Sequence, residues 1–128
     1  MPANRLEVQV FGVRKDADTR KALRFFSERR VKTHFVDLTV RAASYSELWR
    51  FAQKFGAEHL INKSSPRFRE LGLQQAIFSE ERWTQKLADE PALLRIPFVR
   101  NGSLLTVGAA EETWKDWLRP DARIRNPQ

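Results

Sequence analysis

The chain has 128 residues, 41% of them hydrophobic and 30% charged, with a formal net charge of +7 and no cysteine. That size fits one compact domain burying roughly two-thirds of its unfolded surface. The absence of cysteine excludes disulfides, thiolate metal sites and any mechanism that uses a thiol of the chain's own. Apolar runs of about five residues fall far short of the ~20 that cross a bilayer, and no signal-peptide core opens the chain, so a cytoplasmic location without membrane contact is expected.

The positive charge favours anionic partners through counter-charge and faster encounter. Its residues are scattered, with the densest group at Arg20, Lys21, Arg24, Arg29, Arg30 and Lys32 and smaller ones at Arg67 with Arg69 and at Arg119, Arg123 and Arg125. Scattered cations describe solvated helix faces, so direct nucleic-acid binding is not expected. His34 and His59 lack the helix-face spacing of a metal pair, and neither a metal nor a cofactor is expected.

In chain order, Leu6, Val8 and Val10 alternate with Glu7 and Gln9, predicting a half-buried strand over 5–11 that Gly12 ends. Asp16 or Asp18 then caps a helix whose apolar positions Ala22, Leu23, Phe25 and Phe26 run to about Arg29. Residues 33–38 form a second strand, returning parallel to the first through a right-handed crossover.

Ser44 and Glu47 have capping-box spacing before Leu48, Phe51, Ala52 and Phe55, giving a helix that stops at Gly56. Residues 62–66 break structure, a short helix follows over 67–71, and Ser79 caps another carrying Trp83 and Leu87 up to Pro91. Two apolar runs around Asn101-Gly102 predict a hairpin. A last helix carries Trp114, Trp117 and Leu118 on one face, and the tail 120–128 is polar and basic. Phe25, Phe26, Phe51, Phe55, Trp83, Phe98, Trp114 and Trp117 fall at helix or strand spacing and are assigned to the core. The two histidines are assigned hydrogen-bonded structural roles.

This order resembles the arsenate reductase and Spx branch of the thioredoxin superfamily. The likeness is carried by Arg20-Lys21-Ala22 after the first turn, Leu60-Ile61-Asn62-Lys63, the run from Pro91 to Pro97, and Val107-Gly108, spanning about residues 6–118. The resemblance implies an α/β, thioredoxin-like fold: a four-stranded mixed sheet, with a helical insertion over about 44–92 between a β-α-β and a β-β-α half. A single domain would cover 1–119, followed by a flexible basic tail.

Held in register, the resemblance puts the family's nucleophilic cysteine on Asp16 and the second cysteine of a Cys-x-x-Cys form on Thr19, followed by Arg20. Asp16 reads as a helix cap or, alternatively, as a nucleophile or general base. The oxyanion-binding arginine before the family's proline is replaced by Ile96, with Arg95 one step earlier. In the insertion, Lys63, Ser64 and Ser65 precede Arg67. The resemblance also implies a cis bond at Pro97 and a main-chain edge at Ile96 for peptide or glutathione-like ligands.

The expectation from these observations is a redox-inactive binding module for a protein or a small anionic ligand. Lys15, Lys21, Arg24, Arg67, Arg95, Ile96 and Pro97 are its candidate contacts. Two other readings stay open. One is an Spx-like regulator docking on RNA polymerase through the helix at Arg20 to Arg30 and the run 65–73. The other is a cysteine-independent, glutathione-dependent enzyme using the Thr19 hydroxyl.

Overall fold

A computed structural model describes residues 6–119, so the expected basic tail lies outside the described residues. The order is β1 (Glu7–Gly12), α1 (Ala17–Glu28), β2 (Lys32–Asp37), α2 (Tyr45–Phe55), α3 (Pro66–Glu70), α4 (Glu80–Asp89), β3 (Phe98–Asn101), β4 (Leu104–Val107) and α5 (Glu111–Trp117). Single 3₁₀ turns at Ala57–Leu60 and Leu73–Gln75 link the helices of the insertion, and one at Pro91–Leu93 leads from α4 toward β3. The strands form one sheet in the order β2-β1-β3-β4. β1 runs parallel to β2 and antiparallel to β3, and β3 is antiparallel to β4. This is the mixed β-α-β, β-β-α sheet that the resemblance implies.

Both faces of the sheet are covered, and the alternation of β1 divides the core. Val8 and Val10 enter one cluster with Phe25, Phe26, Val99 and Trp114, between the sheet and the α1/α5 layer. Phe11 points the other way, into a larger cluster with Phe51, Leu60, Leu87 and Phe98 under the insertion. Trp114 is fully buried, within 5.5 Å of the Phe25 ring and 5.4 Å of the Phe26 ring. Its indole N–H donates to the Thr106 hydroxyl at 2.8 Å, so the one polar atom of that side chain is satisfied inside an apolar layer. Of the aromatic residues assigned to the core, Phe55 alone stays partly buried at its edge.

The local signals act as predicted with one shift. Ser44 and Glu47 form a complete capping box, and Ser79 caps α4 through the Arg82 amide. The hairpin turn lies one residue later than expected: Asn101 pairs with Leu104, leaving Gly102 and Ser103 as the two turn residues. Gly102 is at φ +61° and Ser103 is not left-handed, the pattern of a type II′ turn, which wants glycine first. Asn101 therefore ends the strand.

α1 ends in a Schellman motif. The Val31 amide donates to the Phe26 carbonyl at 2.9 Å and the Arg30 amide to that of Ser27 at 3.0 Å, while Val31 and Phe26 share the same core cluster. The left-handed residue this motif requires is Arg30, at φ +60°, where glycine is usual. A side chain held there costs about 1 kcal/mol. Arg30→Gly is expected to raise unfolding stability by a few tenths of a kcal/mol in urea titration, the relief of the left-handed strain slightly exceeding the extra freedom of the unfolded chain.

Candidate functional site

The site begins where β1 stops. Gly12 closes the strand beside Thr19, which is fully buried one turn into α1. A Cβ built on Gly12 would come within 2.7 Å of Thr19 Cγ2 and closer still to its hydroxyl, so Thr19 packs there because residue 12 has no side chain. Asp16 caps the helix from extended backbone, with φ −80° and ψ 128°. Its Oδ2 accepts from the Thr19 amide at 2.8 Å and from the Thr19 hydroxyl at 2.9 Å. Asp18 is instead an acidic residue of the first turn, where the helix dipole favours it. The amides of Ala17 and Asp18, the unsatisfied donors of a helix start, carry no hydrogen bond among the described residues.

Facing this mouth is the approach to β3, where the Ile96–Pro97 bond is cis and Pro97 is buried. The insertion holds this segment from several sides. The Arg95 amide donates to the Leu60 carbonyl at 2.9 Å and the Asn62 amide to that of Leu93 at 2.8 Å, flanking a bridge between Ile61 and Leu94. Ser65 donates to the Ala92 carbonyl at 2.9 Å. Beyond the proline, the Gly108 amide donates to the Pro97 carbonyl at 2.8 Å. Ile96 itself is half-buried, and neither its N–H nor its C=O is hydrogen-bonded among the described residues. Buried or half-buried main-chain groups are nearly always paired, so this is a pair of groups open to water or a ligand.

Between the two lies a cleft of about 530 Å³ lined by Val13, Lys15, Asp16, Leu38, Asn62, Pro91, Ala92, Leu94 and Ile96. Three of the residues singled out from the sequence, Lys15, Asp16 and Ile96, thus share one wall system, with Thr19 and Pro97 directly behind it. Others lie elsewhere. Arg20 donates to the Arg14 carbonyl at 2.9 Å. Lys21 is exposed on α1 and lines no part of the cleft. Arg24 lines a different groove. Arg95 turns to His59, 3.3 Å from its Nε2, and packs against Gly108. Arg67 is held by Glu90, with Nε donating at 2.9 Å, and by Glu70 at 3.2 Å. Lys15 is therefore the cationic side chain of the cleft wall.

The histidines take part in hydrogen bonds, His34 to Glu7 at 3.2 Å and His59 to Arg95 while stacked on Phe55. Among the described residues no group of three or more His, Asp or Glu is placed to hold a metal ion. The sequence reading missed Asn62, Pro91 and Ala92. Asn62 carried a weak signal as a turn-forming residue, and its side chain accepts from the Ser64 amide at 3.0 Å in the turn before α3.

Two outcomes follow from this geometry. Asp16→Ala removes both cap bonds and is expected to cost about 1 kcal/mol in urea unfolding, whereas Asp16→Asn retains a side-chain acceptor and loses less. The Arg67 guanidinium beside Glu90 holds that carboxyl below the usual glutamate range. A lowered folded-state value means stability present above the unfolded glutamate value and lost as pH falls through the folded one. Glu90→Gln is therefore expected to flatten the pH dependence of thermal unfolding on the acid side, below about pH 4, and to leave its shape above pH 6 unchanged (about two units above that range).

A model of the ArsC family matches residues 11–117. The uncharacterized protein YusI of Bacillus subtilis (strain 168) is 26% identical over 101 residues, which is 76% of this chain and 86% of that protein. Among solved structures, the arsenate reductase from Vibrio cholerae superposes with a TM-score of 0.76 at 19% identity, covering 86% of this chain and 96% of its own. A protein called YffB superposes with a TM-score of 0.80 at 20% identity, over 88% of this chain and 99% of that one. An arsenate reductase (ArsC) related protein from Brucella melitensis does so with 0.66 at 17% identity, over 91% and 98%. The chain belongs to the ArsC family, as a thioredoxin-fold member that contains no cysteine.

Proposed function

We propose that this chain is a binding module without thiol redox chemistry, and that its cleft holds an extended peptide segment of a protein partner against the main chain of Ile96. The observation that carries this reading is the unbonded N–H and C=O of Ile96 in a cleft whose walls are mostly apolar. Main-chain groups of this kind recognise a peptide backbone whatever its side chains, and neighbouring apolar walls then add selectivity.

Asp16 argues for a peptide over a small oxyanion. A helix start attracts anions through its free amides and dipole. Here a carboxylate of the chain itself already stands at that start, bonded to the Thr19 amide. A second anion would have to approach that charge with Lys15 as the cation of the wall, since Arg67 and Arg95 are engaged elsewhere. The glutathione-activating reading needs a hydroxyl aimed into the cleft. That of Thr19 is buried and donates to Asp16.

The test is an NMR titration of the isotope-labelled chain with two probes at millimolar concentration: S-methylglutathione as a thiol-free peptide, and arsenate. The peptide is expected to shift the amides of Ile96 and of the 13–18 turn, while arsenate moves neither until Asp16→Ala removes the resident carboxylate. Arsenate binding by the unmodified chain, with no response to the peptide, would overturn the reading.

A further inference from the structure

We propose a second binding site, separate from the cleft: a groove along the outer edge of β2 that takes an extended acidic segment of a partner protein as an added strand. The groove has a volume of about 700 Å³ and runs between α1 and β2. Its cations are Arg14, Arg24, Arg30 and Lys32, its apolar floor includes Leu23 and Phe35, and no acidic residue is among those that line it. Arg24 and Arg30 have no ion pair among the described residues. Arg14 lies over the Phe35 ring, 4.7 Å from its centroid, and feels Asp37 only at a distance. Lys32 is 3.8 Å from Glu7, a pair in which both side chains are more than half exposed.

β2 is terminal in the sheet, so one of its edges is unpaired. The Leu38 amide donates to the Gly12 carbonyl, which fixes the alternation: even-numbered residues of β2 face β1, and Thr33 and Phe35 turn their N–H and C=O outward. Both of these residues line the groove. A row of open main-chain groups beside a band of cations is what an incoming acidic strand requires, the backbone supplying hydrogen bonds and alternate side chains meeting the arginines.

Arg30 supplies an independent observation. It occupies the left-handed position of the α1 Schellman motif, where glycine would be relaxed, and its side chain faces this groove. Its guanidinium has no ion pair among the described residues, so its charge is available to a ligand of the groove.

Charge selects the occupant. Residues 1–5 contain Arg5 and no acid, and residues 120–128 set Asp121 against Arg123 and Arg125, so neither end of this chain complements the groove. A second copy laid edge to edge would set one basic groove beside another, with no acidic residue in either lining to offset the charge. A nucleic acid would use the cations and leave the main-chain edge and the apolar floor unused.

The test compares three probes: an alternating Glu/Val decapeptide, the same peptide with Lys for Glu, and a single-stranded oligothymidylate. The acidic peptide is expected to shift the Thr33 and Phe35 amides and to slow their hydrogen exchange. Arg24→Glu combined with Arg30→Gly should weaken it at least tenfold, while Lys21→Glu on the same helix has no effect. Arg30→Gly alone should weaken binding while raising the unfolding midpoint, a combination that a purely structural arginine would not produce. Thr33→Pro removes an N–H that the fold does not use and should also abolish binding, with circular dichroism confirming that the variant is folded. Equal binding of the lysine peptide, binding of the oligothymidylate alone, or an undiminished affinity in Thr33→Pro would each overturn the proposal.

Discussion

The contact between Gly12 and Thr19 governs this molecule. Thr19 can lie fully buried under the end of β1 because residue 12 lacks a Cβ, and from there its amide and hydroxyl both reach one oxygen of Asp16. That pair of bonds sets the residue at which α1 starts. It thereby sets which amides are left open, those of Ala17 and Asp18, and how they stand toward the cis-proline segment across the cleft. A cap at Asp18 would have moved the helix start by half a turn and turned a different set of donors toward Ile96.

The remaining architecture keeps that start and the opposite wall in register. β1 and β3 are hydrogen-bonded neighbours, so the two loops that bound the cleft leave adjacent strands at the same end of the sheet. The insertion then pins the proline side through Leu60, Asn62 and Ser65, while the Trp114 layer supports α1 from the opposite face. Each wall of the cleft rests on a different hydrophobic cluster, and the sheet is what joins them.

How far this could be read from the sequence depends on the range of the interaction concerned. Ser44 and Ser79 act on amides three residues away, and their caps were legible for that reason; Asp16 acts over the same distance, with Asp18 as the other candidate until the structure chose between them. Val8 and Val10 announced β1 by alternation alone. The hairpin was found and its turn misplaced by one residue, because Asn101-Gly102 and Gly102-Ser103 both suit tight turns and the choice rests on pairing with Leu104. What stayed hidden was everything set by folding across distance. Arg67 read as a candidate anion ligand because Glu90, its partner, is 23 positions away. Pro91 and Ala92 gave no chemical sign of lining a cleft, and it is the Ile61–Leu94 bridge with the bonds from Asn62 and Ser65 that holds them there.

The two open amides in the first turn of α1 have a consequence for how reactivity is located in such a fold. They belong to the backbone, so they survive any change of side chain at residue 16. Cysteine introduced there would find a dipole and donors already arranged, and its sulfur would ionise more readily than an ordinary thiol. It would not find arginines beside it to grip an oxyanion, since Arg67 and Arg95 serve other carboxyl and imidazole neighbours. Nucleophilicity and substrate capture are therefore separable endowments of this scaffold: one is written into the peptide units and can be reclaimed by a single exchange, the other was built from side chains and would have to be constructed anew.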